Sequence, residues 1–422
     1  MINKPKPKSE FSRNVLTLMT GTTIAQAIPI AITPILTRIY TPEDFGVLAL
    51  FIAISSIFGS IASARYDLAI MLPKKDEDAI NILALGFLIA SIVSLILLVI
   101  IILFNEYLTD TLNNKEIGIW LYFVPIAVFF MSLFNLLSYF NTRKKYYKDM
   151  ANATIVKSII LAITQLSIGF IKNGASGLIG GQVLSQMFAN IRLFKNIIKD
   201  KVLISKIKKV RVIALMKRYK DFPQFSMWAT LANNLSVHFI NILISSFYGI
   251  ATLGFYSLVQ KVLAIPSMLI GNSIGQVFFQ QASIEKQETS KVVKTFNLTI
   301  KKIFPIGIIF FGILFMVVED LFAFIFGEEW RIAGVYAKIT IPLFFIRFVI
   351  APFTLVPIVF EKTKIDLYFQ MGLLINYIIV FTFGSNYMNM SFNNLLYMIT
   401  FIITLYYILY FVLLNKMKSG IK

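Results

Sequence analysis

The sequence predicts an all-α polytopic membrane protein, with about twelve transmembrane helices in two parallel six-helix bundles. Three observations predict it. The 422 residues are 57% hydrophobic and only 14% charged, with a mean hydropathy of +0.77, whereas a soluble domain carries about 25% charged residues. The apolar residues come in blocks of about twenty or more, the length that crosses a bilayer. The basic residues gather in alternate loops. Water-soluble enzymes, disordered chains and coiled coils are excluded. The chain has no cysteine and one histidine, His238. That removes disulfides, thiolate metal sites, HExxH zinc chemistry and cysteine nucleophiles, and no catalytic activity is expected.

The spans read in order as 14–36, 45–64, 79–104, 117–140, 151–171, 174–194, 222–247, 251–279, 296–318, 335–360, 365–384 and 392–414. The first is longer than a signal-peptide core, carries Gln26, Pro29 and Pro34, and lacks a small-residue cleavage site, so it reads as a true span. The sixth is the weakest, being glycine-rich and polar. The seventh carries Asn234, His238 and Asn241, the eighth Lys261, and the tenth Arg347 between Pro342 and Pro352.

The loops set the orientation. The termini and every second loop hold 32 of the 40 Lys/Arg, the opposite loops hold 5, and Lys157, Lys261 and Arg347 fall inside spans. By the positive-inside rule the basic side is cytoplasmic and both termini are inside, as an even span count requires. The net charge of +19 is thus a topology signal. Spread over seven segments, it does not suit nucleic acid, and none is expected as a partner. The basic stretch 195–221 reads as a cytoplasmic linker lying on anionic headgroups, between an N-terminal bundle, 1–194, and a C-terminal bundle, 222–422. Six spans per half make the halves parallel repeats.

Local residues support the repeat. Tyr40 and Gly46 align with Tyr248 and Gly254 at an offset of 208. Upstream, Thr22, Gln26, Thr33 and Thr37 share one helical face, as do Asn234, His238, Asn241 and Ser245. Two polar stripes at equivalent places suggest a hydrated central cleft between the halves. The alternative is interhelical hydrogen bonding in a dry bundle. His238 reads as polar lining, with proton coupling as the other reading.

Lys261 lies about 15 Å into its span at 1.5 Å per residue, with Asn272 and Gln276 on its face. Arg347 is similarly deep, and its flanking prolines suggest a broken helix whose freed carbonyls line a cavity. Lys157 is shallower and either snorkels to the cytoplasmic face or points inward. Arg65 and Asp67, two residues apart at the inner end of the second span, point to different helix faces and are poor mutual partners. No acidic residue lies deep in a span. Buried cations beside Asn, Gln and Thr suit an anion with hydroxyl-rich groups, such as a phosphate-linked glycan, and not a cationic drug. The stretch Gly169–Ser176 lacks a Walker ending and a preceding strand, so no nucleotide is expected as cofactor. A proton or sodium ion remains as a coupling ion.

The stretch from Thr33 to Ala79, TPILTRIYTPEDFGVLALFIAISSIFGSIASARYDLAIMLPKKDEDA, resembles the first hairpin of the Wzx-type polysaccharide flippases, of the MATE-like multidrug/oligosaccharidyl-lipid/polysaccharide exporter superfamily. Arg65 to Ala79 is its more specific part. The resemblance implies a central cationic cleft lined by Arg65, Asp67, Lys261 and Arg347, and alternating access gated by a first helix kinked at Pro29 and Pro34. It implies translocation of undecaprenyl-pyrophosphate-linked O-antigen or capsule repeat units across the bacterial cytoplasmic (inner) membrane, with membrane lipids and other polysaccharide assembly proteins as partners. The alternatives are a peptidoglycan lipid precursor flippase and a small-molecule exporter. From another class come a membrane glycan polymerase, ligase or acyltransferase, which would need acid/base groups on a sizeable outer loop.

Overall fold

The computed structural model describes residues 10–172, 174–267, 272–362 and 364–420, and among them the chain is helical with no strand. The helices are α1 Glu10–Ile39, α2 Pro42–Gly59, α3 Tyr66–Ala69, α4 Asp76–Thr111, α5 Ile117–Leu121, α6 Val124–Arg143, α7 Tyr147–Ile171, α8 Ser176–Ile198, α9 Lys201–Ile204 and α10 Lys209–Arg218. They continue as α11 Met227–Tyr248, α12 Ile250–Pro266, α13 Asn272–Thr289, α14 Val293–Phe326, α15 Arg331–Ile350, α16 Val356–Val359, α17 Lys364–Phe381 and α18 Phe392–Met417. Among the described residues nine helical stretches are long and apolar enough to cross a bilayer. The expected sixth, seventh and eighth spans coincide with α8, α11 and α12–α13, which fall outside those nine, α12 being apolar but only 17 residues long.

Two compact units divide the chain, residues 1–234 and 235–422. The division falls inside α11, downstream of the basic linker.

Within the first unit the connections follow from local chemistry. Thr41 accepts from the Asp44 N–H at 3.3 Å while the Asp44 carboxylate accepts from the Thr41 N–H at 3.0 Å. This reciprocal cap, with Pro42 at the first turn, starts α2 immediately after α1. Tyr40, at the corner, donates its hydroxyl to the Gln165 carbonyl of α7 at 2.6 Å. α1 packs along α7, α7 along α8, α4 and α8 against α6, and α2 against α6. The α1–α7 approach is close because Gly21 faces Ala151 with no room for a Cβ. α1 remains one helix through Pro29 and Pro34.

The second unit repeats the plan. Pro42 and Ile250, the first residues of α2 and α12, are 208 residues apart, the offset read from the sequence. The pairings α4–α6, α6–α8, α7–α8 and α2–α6 recur as α14–α15, α15–α18, α17–α18 and α12–α15. Tyr248, the counterpart of Tyr40, also donates to a distant carbonyl, that of Met390 at 3.1 Å. α11 is joined to α17 by the Ser236 hydroxyl and the Gln370 side-chain oxygen, 3.0 Å apart.

The linker is structured and docked, where a headgroup-lying connector was expected. The Arg211 guanidinium meets Asp78 at 2.6 Å and Glu77 at 2.8 Å in the acidic first turn of α4. The Asn81 side chain accepts from the Lys208 N–H and donates to the Lys206 carbonyl. Leu203 and Leu215 are buried in the core beneath, with Leu136 and Ile197. The Tyr66 hydroxyl reaches the Met216 carbonyl at 3.0 Å.

Candidate functional site

Arg65 and Asp67 depart most from expectation. The reading that placed them on opposite helix faces assumed that α2 continues through residue 64. It ends at Gly59, and Ala64 (φ 49°) and Arg65 (φ 62°) adopt the left-handed conformation. That turn carries the guanidinium back onto the carboxylate, Nη1 to Oδ2 at 3.4 Å. The Ser63 hydroxyl donates to the other Asp67 oxygen at 3.1 Å. Asp67 is 1% exposed and Arg65 17%, and the buried Arg65 Nε has no partner. The two form a partly satisfied ion pair on a strained turn, and the arginine keeps donor capacity.

The stripe on α1 separates. Gln26 is half-buried, whereas Thr33 and Thr37 are buried. The Thr33 hydroxyl donates to the Pro29 carbonyl at 2.5 Å, and Thr37 reaches the Pro34 carbonyl at 3.1 Å. Both threonines thus serve the helix at its prolines. In this conformation Thr33 is 2% exposed. The stripe on α11 is more open: Asn234, His238 and Asn241 are half-buried. Asn234 donates to the Thr230 carbonyl at 3.0 Å, while the Asn241 side-chain oxygen and the fully buried Ser245 hydroxyl lack a partner.

Among the described residues neither Lys261 nor Arg347 has an ion-pair partner, and both are exposed. Lys157 is half-buried, with its ammonium 5.3 Å from the Phe134 ring centre. The side chains of Asn272 and Gln276 lie outside the described residues.

Arg347 sits where the tenth span breaks. α15 ends at Ile350, a 3-10 turn runs over Ala351–Leu355, and α16 restarts at Val356. The break follows from Pro352 and Pro357, which cannot donate to the helix ladder. The guanidinium lies 5.4 Å from the Phe344 ring centre and 6.0 Å from that of Tyr407. Tyr377 and Tyr256 are also close enough to interact with it electrostatically. Rings from two helices of the second unit, Phe344 of α15 and Tyr407 of α18, therefore flank the cation. Ring faces stabilise a guanidinium without using its N–H groups, so its planar donors stay available to a tetrahedral anion. Phe344, three residues before Arg347 on the same helix, was readable from the sequence. The tyrosines come from other helices, and no spacing points to them.

A helical chain whose helix pairings recur in two units, with nine described stretches long and apolar enough to cross a bilayer, has the fold of MATE-like transporters. The chain matches a solved lipid II flippase MurJ in an inward closed conformation, with a TM-score of 0.70 at 14% identity over 94% of this chain and 87% of that one. It matches the Vibrio cholerae MATE transporter VcmN at 0.60 and 12% identity, over 96% of this chain and 95% of that one. An inward-facing multidrug resistance MATE transporter of the MOP superfamily matches at 0.56 and 12% identity, over 95% of this chain and 96% of that one. No curated protein matches the chain. A family model described as "Polysaccharide biosynthesis protein" matches residues 35–335, well over half of the chain. The chain belongs to this polysaccharide biosynthesis family, and it has the fold of the MOP-superfamily transporters.

Proposed function

We propose that the protein flips undecaprenyl-pyrophosphate-linked oligosaccharide repeat units, of O antigen or capsule, from the cytoplasmic to the outer leaflet of the bacterial inner membrane by alternating access through a cationic cleft. The observation that carries this reading is Arg347: a cation held by aromatic rings at a proline break, with no acidic partner among the described residues. An unpaired cation at membrane depth is costly unless it is hydrated or meets an anion. The diphosphate supplies the anion, and the tyrosines and α11 amides suit sugar hydroxyls. Membership of a polysaccharide biosynthesis family supports a lipid-linked glycan as cargo. Lys261, Arg65 and Asp67 complete the proposed contact set. A diphosphate of charge −2 moving outward gains about 4.6 kcal/mol per 100 mV of inside-negative potential, at 2.3 per charge.

The test replaces Lys261 and Arg347 by Ala, singly and together. Each variant should reach wild-type membrane abundance, yet surface polysaccharide should fall and intact lipid-linked repeat units should accumulate facing the cytoplasm. Arg347→Lys should recover less than Lys261→Arg, because lysine lacks the bidentate fork. Normal export by the double variant at normal abundance would refute the reading. A change in glycan mass in reconstituted vesicles would indicate an enzyme instead.

A further inference from the structure

The second unit carries a furrow that the transport reading does not use. A cavity of about 370 Å³ lies between α14, α15 and α18, lined among others by Phe315, Lys338, Pro342, Thr400 and Phe401. A second, of about 270 Å³, continues along the α14–α15 seam past Gly312 and shares Phe315 and Pro342. The flanking surface is apolar and exposed: Ile313 (61%), Met316 (82%) and Phe401 (66%) face outward. On helices long enough to span, such a surface faces hydrocarbon.

Three features point to an amphiphilic occupant. First, Gly312 in mid-helix meets nothing within 4 Å where a Cβ would stand. It is not needed for helix packing, and it leaves the trough clear. Second, Thr400 lines the cavity and is 7% exposed, and its hydroxyl has no partner. Third, Glu319 and Lys338 pair at 2.8 Å and remain 35% and 41% exposed. Both stand about 10 Å inside the facing ends of α14 and α15, at 1.5 Å per residue. α14, at 34 residues, is about 51 Å long by the same rise and exceeds the ~30 Å hydrocarbon core. The pair therefore sits at headgroup depth, just beyond the apolar run that ends at Val318.

We propose that this furrow binds one zwitterionic glycerophospholipid of the leaflet where α14 ends and α15 begins. Its phosphate meets Lys338 and its ammonium meets Glu319. The Thr400 hydroxyl donates to an ester carbonyl, and one acyl chain lies along Phe315, Pro342 and Gly312. The paired charges select this lipid. A polyprenyl phosphate or phosphatidylglycerol offers an anion to Lys338 but leaves Glu319 facing negative charge, Asp320 being held by Arg331 at 2.7 Å. The site does not depend on the flippase reading.

The full chain, purified and delipidated in detergent, is titrated with phosphatidylethanolamine, phosphatidylglycerol or undecaprenyl phosphate and read by native mass spectrometry. One tightly held phosphatidylethanolamine is expected. Gly312→Leu fills the trough and should weaken it about tenfold without lowering the melting temperature. Lys338→Gln with Glu319→Gln should abolish the preference over phosphatidylglycerol. Thr400→Val, which keeps the shape, should weaken binding if Gly312→Leu does not fold. Equal binding by wild type, Gly312→Leu and Thr400→Val, all folded, would overturn the proposal. So would a Gly312-dependent preference for undecaprenyl phosphate or phosphatidylglycerol, which would assign the furrow to another amphiphile.

Discussion

Single residues show where sequence reading succeeds and where it stops. Tyr40 was visible as a repeat marker, but its function was not, because the carbonyl it bonds lies 125 residues away. Its hydroxyl occupies the space a Cβ on Gly177 would take. Gly177→Ala should therefore displace it and lower stability by about 1–3 kcal/mol. Tyr40→Phe should lower it by about 1 kcal/mol. The double variant should lose less than the sum, since phenylalanine vacates the contested space. Thermal unfolding in detergent reads all three, and strict additivity would contradict the contact. Asp67 was misjudged for a related reason: helical geometry was assumed where positive φ values at Ala64 and Arg65 break it. Asp67→Ala strands Arg65 and Ser63 and should destabilise by about 1–3 kcal/mol, whereas Asp67→Asn should retain the Ser63 hydrogen bond. Unchanged melting of Asp67→Ala would show that the turn stands without its ion pair.

At the scale of elements, two helix ends are held by distant carboxylates. The first turn of α4 is the anchor for α10, and its hydrogen bonds raise the Arg211 guanidinium further above its already high ordinary value. These partly exposed pairs are individually weak and salt-sensitive. Glu77→Gln with Asp78→Asn should increase protease cleavage within 199–221 several-fold, and wild type should show the same trend in high salt. Leu215 keeps part of the docking in both cases, so cleavage that ignores both charge and salt would leave the apolar contact as the whole anchor. The second case is Glu285 of α13, whose two oxygens accept from the Lys294 and Thr295 N–H groups at 2.8 Å each, at the start of α14. Burial opposes its charge, but hydrogen bonds from Thr295 and Lys294 outweigh burial and hold its carboxyl below the ordinary 4.5. A depressed folded pKa stabilises above the unfolded value and is lost as pH falls through the folded value. The contribution should thus be complete above about pH 4.5 and disappear on further acidification. Glu285→Gln should remove that part of the acid dependence of melting; an identical acid profile in the variant would deny the cap its charge. Neither docking was legible, because a basic linker and a lone glutamate have many solvated readings.

For the whole molecule, the repeat and the apolar spans were legible because the bilayer imposes one length and one polarity on every crossing. The 208-residue offset survives from the sequence into the starts of α2 and α12. α11 falls short of the nine through its polar residues, His238 and Asn241 among them, whereas α12, which carries Lys261, is apolar but short; on α11 the residues that weaken the hydrophobic signal are the ones that suit contact with polar cargo. Charge asymmetry between loops makes the remaining global prediction, the orientation. Lys115 and Lys209 are exposed in loops predicted to be outside and inside. The chain contains no cysteine, so Lys115→Cys and Lys209→Cys each introduce a single thiol. In intact cells an impermeant maleimide should label the first and spare the second, and after permeabilisation both should react. The 32-to-5 split of basic residues makes the reverse pattern hard to reconcile with insertion energetics, since each misplaced loop would carry several cations across. Labelling at 209 but not 115 in intact cells would invert the topology, and the inferred direction of glycan movement with it.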